Sequence, residues 1–386
     1  MIDRAVLEAA SKAGIINAEQ VGALHDFLNR GAAQPAAATG EEDLRFIRNF
    51  HDVFLAIGIL LFALGIAVAI ATQVAAAAKP AEGAVLTGAL TAGAALIMWL
   101  LGEVFARRRR LFLPAIAIVC ALTVFAVISA ASLYFGLVLG RGVTWDFDHS
   151  QGLPGDVRNG LLLASAFLAI APALFYARFR LPFSLGLAGG GAALFIVVAS
   201  LIFNWDLTLR YLPALYLTLG ALLFAAGVAF DARDPARATR LSDNGFWLHF
   251  AAAPLILNGA FGLIGQALSA GKDAALSPTG AMMAGGSAGA TQAGATLIAV
   301  VLLGLISLLI NRRALIVSAL LTTGVAIGAL LNAVGLGASA LAAATLITLG
   351  AFVLILGASW HLVRRALLAW IRPSGVWARV FPPEPA

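Results

Sequence analysis

An all-α polytopic transmembrane bundle of about ten spans, preceded by a small cytoplasmic helical hairpin, is the fold this sequence predicts. Three observations predict it. Ten apolar stretches are each long enough to cross a hydrocarbon core, basic residues gather in alternate connections, and tryptophans stand at the ends of the stretches. Composition agrees, with 61% hydrophobic and only 11% charged residues in 386. A soluble domain runs near half apolar and a quarter charged, so this chain carries more apolar surface than one water-soluble core hides.

Residues 1–30 read as a cytoplasmic helical hairpin. Val6, Leu7 and Ala10 fall at helical spacing, Gly14 punctuates, and Asn17 with Gln20 resembles a capping box that starts a second helix. Val21, Leu24 and Leu28 give that helix one apolar face. Residues 31–52 combine a linker, GAAQPAAATG, with an amphipathic lead-in in which Leu44, Ile47 and Phe50 recur every three residues among charges. MIDRAVLEAASKAG lacks an apolar core, so a cleavable signal is not expected and the first span inserts the chain.

The transmembrane region, 53–360, divides into stretches 53–78, 83–102, 111–139, 160–176, 181–203, 211–230, 245–270, 293–310, 314–334 and 338–358. The last division rests on Asn332, Gly335 and Gly337. Without a turn there, one apolar helix would be about 70 Å long at ~1.5 Å per residue, far beyond a bilayer. Residues 361–386 form a cytoplasmic amphipathic tail in which Arg364, Arg365 and Arg372 alternate with Leu367, Leu368 and Ile371 before Pro373.

With the N-terminus inside, 20 of the 25 basic residues fall on the cytoplasmic side, and every inside connection is basic. This predicts a multi-pass membrane protein with both termini cytoplasmic. The net charge of +6 therefore reflects topology and lipid headgroups, and nucleic acid is not an expected partner. The lipid bilayer is one partner, and a cytoplasmic protein docking on residues 1–52 is the other. The single cysteine, Cys120, lies in an apolar run, which excludes an internal disulfide and disfavours a cysteine metal site.

Ionisable groups inside a bilayer are costly and mark function by default. The ten stretches hold no Asp, Glu, Lys or Arg in mid-span, which argues against ion-coupled carriers. Six polar positions near the inner ends or within the seventh stretch remain as candidates: Glu103, Arg240, Asp243, His249, Asn258 and Gln266. Glu103 has Arg107 four residues on, which offers a membrane-edge ion pair or a cytoplasm-facing binding group. The connection DARDPARATRLSDN matches Asp231, Asp234 and Asp243 against Arg233, Arg237 and Arg240. It reads as a self-paired cap or as a partner's docking site, with Ser242, Asp243 and Asn244 available to cap the following helix. In the seventh stretch Asn258 lies about 180° from His249 and Gln266 about 80° from Asn258, so the three share no stripe unless Pro254 kinks the helix. They serve either interhelical hydrogen bonds or a polar-lined cavity. His149 with Asp146 and Asp148 in one outside connection is a weak metal set, and no hydrolase, zinc-protease or phosphate-loop motif occurs, so no catalytic residues, metal or cofactor are expected. Gly186 with Gly190, and Gly324 with Gly328, match close helix contacts.

AGIINAEQVGAL, FHDVFLAIGILLFALGI, WLLGEVFARRRRLFLP and DARDPARATRLSDNGFWLHFAAAPLILNG together resemble a family of uncharacterised bacterial multi-pass membrane proteins known as a domain of unknown function. The resemblance implies a bacterial inner membrane and brings no activity. Two functions follow from the residues. One is a non-enzymatic scaffold, assembly or envelope-regulatory component docking through its N-terminal hairpin. The other is a permease or channel for a small neutral or lipid-like solute, which a cavity reaching His249 or Asn258 would favour. An intramembrane enzyme is disfavoured by the lack of a nucleophile–base set.

Overall fold

The computed structural model describes residues 50–140, 154–234 and 239–268 continuously, with scattered positions in 7–22 and 305–366. Seven long helices occupy the continuous part: α1 (Phe50–Val74), α2 (Pro80–Gly102), α3 (Phe112–Gly140), α4 (Gly155–Phe179), α5 (Pro182–Phe203), α6 (Trp205–Arg233) and α7 (Arg240–Leu268). Among the described residues six helices, α1 to α6, are long and apolar enough to cross a membrane. Together with the many large apolar side chains they leave exposed, such as Leu61, Leu64, Leu100, Leu137 and Leu222, this makes a bilayer the fitting surroundings. The helix α7 has 29 residues and carries His249, Asn258 and Gln266. The eighth, ninth and tenth expected stretches, the connections at 141–153 and 271–292 (with His149, Asp146 and Asp148), Gly324, Gly328 and the cytoplasmic tail fall largely or wholly outside the described residues.

Neighbours in sequence pack side by side: α2 on α3, α4 on α5, α6 on α7. The helix α3 also meets α1 and α4 and is the most enclosed of the six. Its Ile118, Val119 and Leu122 join Met98 of α2 and Phe175 of α4 in one core, where Trp99, Phe175 and Phe179 stack with centroids 4.3–6.2 Å apart. Trp99 is thus a packing residue as well as a helix-end one. The helix α5 touches α4, α6 and α7 and ties the two halves together. An added Cβ on Gly186 would come within 2.6 Å of the Trp247 carbonyl oxygen, so α5 and α7 approach closely there, whereas at Gly190 the nearest atom, the Ala251 Cβ, would lie an ordinary 4.0 Å away.

The corners are where sequence and structure diverge. After Gly102 the α2 helix widens into a π turn, Glu103–Arg108, with the Arg109 amide donating to the Val104 carbonyl at 3.0 Å. The chain then reverses at Arg110, whose φ is 53°. The α4–α5 corner reverses in the same way at Arg180, with φ 54°. At the third corner, α6 runs on past Phe230 to Arg233, and Asp234 closes it because the following Pro235 disfavours α backbone before it. The helix α7 then begins at Arg240, five residues before the expected start. Its cap is Thr239, whose Oγ1 accepts from the Leu241 amide at 3.2 Å, and not Ser242 or Asn244. Asp234 buttresses that cap by accepting from the Thr239 amide at 2.8 Å and its hydroxyl at 2.6 Å. Replacing Thr239 with alanine is expected to cost about 1–2 kcal/mol, read as a lowered thermal midpoint in detergent. A midpoint equal to wild type would show that the cap carries no weight.

Met1–Asp43 and Pro383–Ala386 form a compact unit of their own. Within it Leu7 and Val21 are buried, Gly14 has φ 72°, and the Asn17 amide donates to Gln20 Oε1 at 2.8 Å, one half of the predicted capping box.

Candidate functional site

Asp231 and His249 are the ionisable pair most withdrawn from solvent among the described residues. His249 is 0% exposed and Asp231 5%. The His249 Nε2 lies 3.0 Å from Asp231 Oδ2. The expectation concerned mid-span positions, and the buried carboxylate of Asp231 lies in the last turn of α6 instead. Asp231, read from the sequence as part of a charge-balanced connection, is a residue of α6. The error has a simple cause: the apolar stretch ends at Phe230, but a helix ends where its backbone is broken, three residues later.

Two glycines make the pair possible. Gly227 lies one turn before Asp231 on α6, and Gly245 lies one turn before His249 on α7. A Cβ on Gly227 would come within 2.8 Å of the imidazole Cε1. A Cβ on Gly245 would collide with Asp231 Oδ1 and sit 3.1 Å from the Gly227 carbonyl oxygen. Each helix thus offers a notch to the other's polar side chain. The repeated spacing, glycine then an ionisable residue four positions on, is the trace that both residues leave in the sequence. Phe224 closes the site, its ring 4.8 Å from the imidazole.

The other candidate residues do not converge on this pair. Glu103 accepts from Arg107 Nη1 at 3.1 Å, the expected neighbour, and from Arg178 Nε of α4 at 2.7 Å. Both carboxylate oxygens are engaged, and each bond goes to an arginine rather than to His249 or Arg240. The Asn258 amide donates to the Pro254 carbonyl of its own helix at 2.7 Å, and Gln266 donates across to the Arg210 carbonyl of α6 at 3.0 Å. Asn258 and Gln266 are thus hydrogen-bonded away from the buried histidine. Asn244, beside Gly245, donates to the Tyr176 hydroxyl of α4 at 2.8 Å. Arg240 and Asp243 border a cavity of about 110 Å³ at the helix ends.

A buried, hydrogen-bonded acid–imidazole contact between two helices can hold the helices in register, and it can hold or release a proton. Phe224 and the two glycines are among the groups packed around the imidazole. Among the described residues no group of three His, Cys, Asp or Glu side chains is placed to hold a metal ion. No protein-family profile, curated protein or solved structure matches this chain.

Proposed function

We propose that this chain is a non-enzymatic scaffold or assembly component of a bacterial cytoplasmic membrane, with about ten spans, both termini cytoplasmic, and a docking surface for a cytoplasmic protein in residues 1–52. The observation that carries the reading is the closure of the Asp231–His249 contact. The most chemically capable pair in the described bundle is fully packed between α6 and α7, and the cavity bordered by Arg240 and Asp243 has neither residue in its wall. A polar contact so enclosed serves helix pairing. The apolar face of the N-terminal segment, with Val21 already buried in its own compact unit, supports a folded docking module there.

The test is co-purification from native membranes. The full chain should retain one defined protein in fixed ratio, and a chain lacking residues 1–40 should lose it while inserting normally. If both chains retain the same proteins, or neither retains any, the docking role is wrong.

The second reading is a permease or channel for a small neutral or lipid-like solute. The buried carboxylate favours it, because an ionisable residue within a span is costly and is kept for a purpose. Uptake into proteoliposomes that falls to background in Asp231→Asn would replace the scaffold with a carrier.

A further inference from the structure

Three of the basic corners of this chain meet at one place. The cavity at the helix ends is lined by Arg110 from the α2–α3 corner, Arg180 from the α4–α5 corner and Arg240 from the first turn of α7. Among the described residues Asp243 is the one acidic side chain in its wall, so their side chains carry a net charge of +2 from three arginines and one aspartate. The first residues of three helices, Phe112, Pro182 and Arg240, are also in the lining. Helix starts carry partial positive charge, so the arginines and the backbone act with one sign. At about 110 Å³ the space is far below the roughly 300–1,000 Å³ of a drug-sized pocket and suits one small polyatomic anion. The remaining wall, including Leu111, Phe179 and Leu181, is apolar.

From this arrangement the geometry points to a phosphate-ester site in which Arg110, Arg180 and Arg240 bind one phosphate group. Guanidinium is the fitting group, because its fork of N–H donors matches phosphate oxygens in pairs. Arrival of the arginines from three separate connections means that a bound phosphate bridges the α2–α3, α4–α5 and α6–α7 hairpins at one end of the bundle. The mixed wall suits the phosphate of a membrane lipid, whose headgroup sits against charge and whose glycerol sits against apolar side chains. A free phosphate offers the same oxygens, and the experiment separates the two sources.

The full-length protein in neutral detergent is titrated with phosphatidylglycerol, with diacylglycerol as the phosphate-free control, and separately with inorganic phosphate. Bound lipid is counted by native mass spectrometry and phosphate binding is followed by calorimetry. Wild type should hold phosphatidylglycerol and ignore diacylglycerol. Arg180→Gln and Arg240→Gln should each weaken binding about ten-fold, and Arg109→Gln, which is not among the residues of the cavity wall, should leave it unchanged. Binding of phosphatidylglycerol that inorganic phosphate does not displace identifies a lipid site. Saturable binding of inorganic phosphate with the same arginine dependence identifies a free-phosphate site. Asp243→Asn removes the one like charge facing the anion and should tighten binding about five-fold, which decides the matter even if an arginine variant fails to fold. Equal binding by wild type and all variants, or no binding of either probe, overturns the site.

Discussion

Replacing His249 with alanine is expected to destabilise the protein by about 3–5 kcal/mol, because it removes the imidazole from the buried Asp231 carboxylate and leaves a void beside it. The measurement is the thermal midpoint of the detergent-solubilised chain, followed by loss of soluble oligomer-free protein on heating. Asp231→Ala should cost a comparable amount, because the buried imidazole loses its hydrogen bond to that carboxylate. The double variant Asp231→Ala with His249→Phe should return to within about 1 kcal/mol of wild type, since a buried polar contact exchanged for apolar groups of similar volume is often neutral or stabilising. Destabilisation of the double variant by the sum of the two singles would show that the residues act separately, and the notion of a mutual contact would fail. The same double variant bears on function. A scaffold keeps its partner in that background, whereas a carrier that moves a proton through Asp231 loses transport.

Gly245→Ala is expected to be the next most damaging change, at about 1–3 kcal/mol, although it adds a single methyl group to a helix where alanine has the higher propensity. That methyl would fall on Asp231 Oδ1 and press on the Gly227 carbonyl, so α6 and α7 must separate or the acid must swing away from His249. Local propensity predicts stabilisation and tertiary packing predicts the reverse, which makes the sign informative. In the Asp231→Ala, His249→Phe background the carboxylate is gone, and the cost of Gly245→Ala should shrink. Thermal midpoints of the four proteins form a double-mutant cycle, and perfect additivity would refute the proposed collision.

Much of the bundle was legible in the sequence, for reasons that particular elements make clear. Hydropathy located α1 to α6 because each must present an apolar surface all round, and that property needs no knowledge of neighbours. Ends were less legible. The stretch expected to stop at Phe230 continues to Arg233 because Asp231, though ionisable, finds a partner on the next helix, and only Pro235 ends the backbone run. The Glu103–Arg107 pair followed from spacing along one helix. The Arg178 bond to the same carboxylate did not, since it depends on how α2 and α4 lie together. The π turn after Gly102 left no pattern in residue types. His249 was singled out for its position in an apolar stretch, but its partner was assigned to a connection. The glycines beside the pair stand at four-residue spacing in the sequence, but small residues in such helices equally bring backbones together, so the spacing alone does not mark room for a polar side chain.

The two arginine corners have a cost that their side chains must offset. A left-handed backbone suits glycine or asparagine, and holding any other residue there raises the energy of the folded chain by about 1–2 kcal/mol. Arg110 and Arg180 both sit in that conformation, at equivalent reversals of direction, and both are followed by leucine. A glycine at either place would relax the main chain and forfeit a fixed cation. The folded protein therefore carries a standing conformational cost at two points of its surface, each at an exposed arginine where the chain reverses between helices.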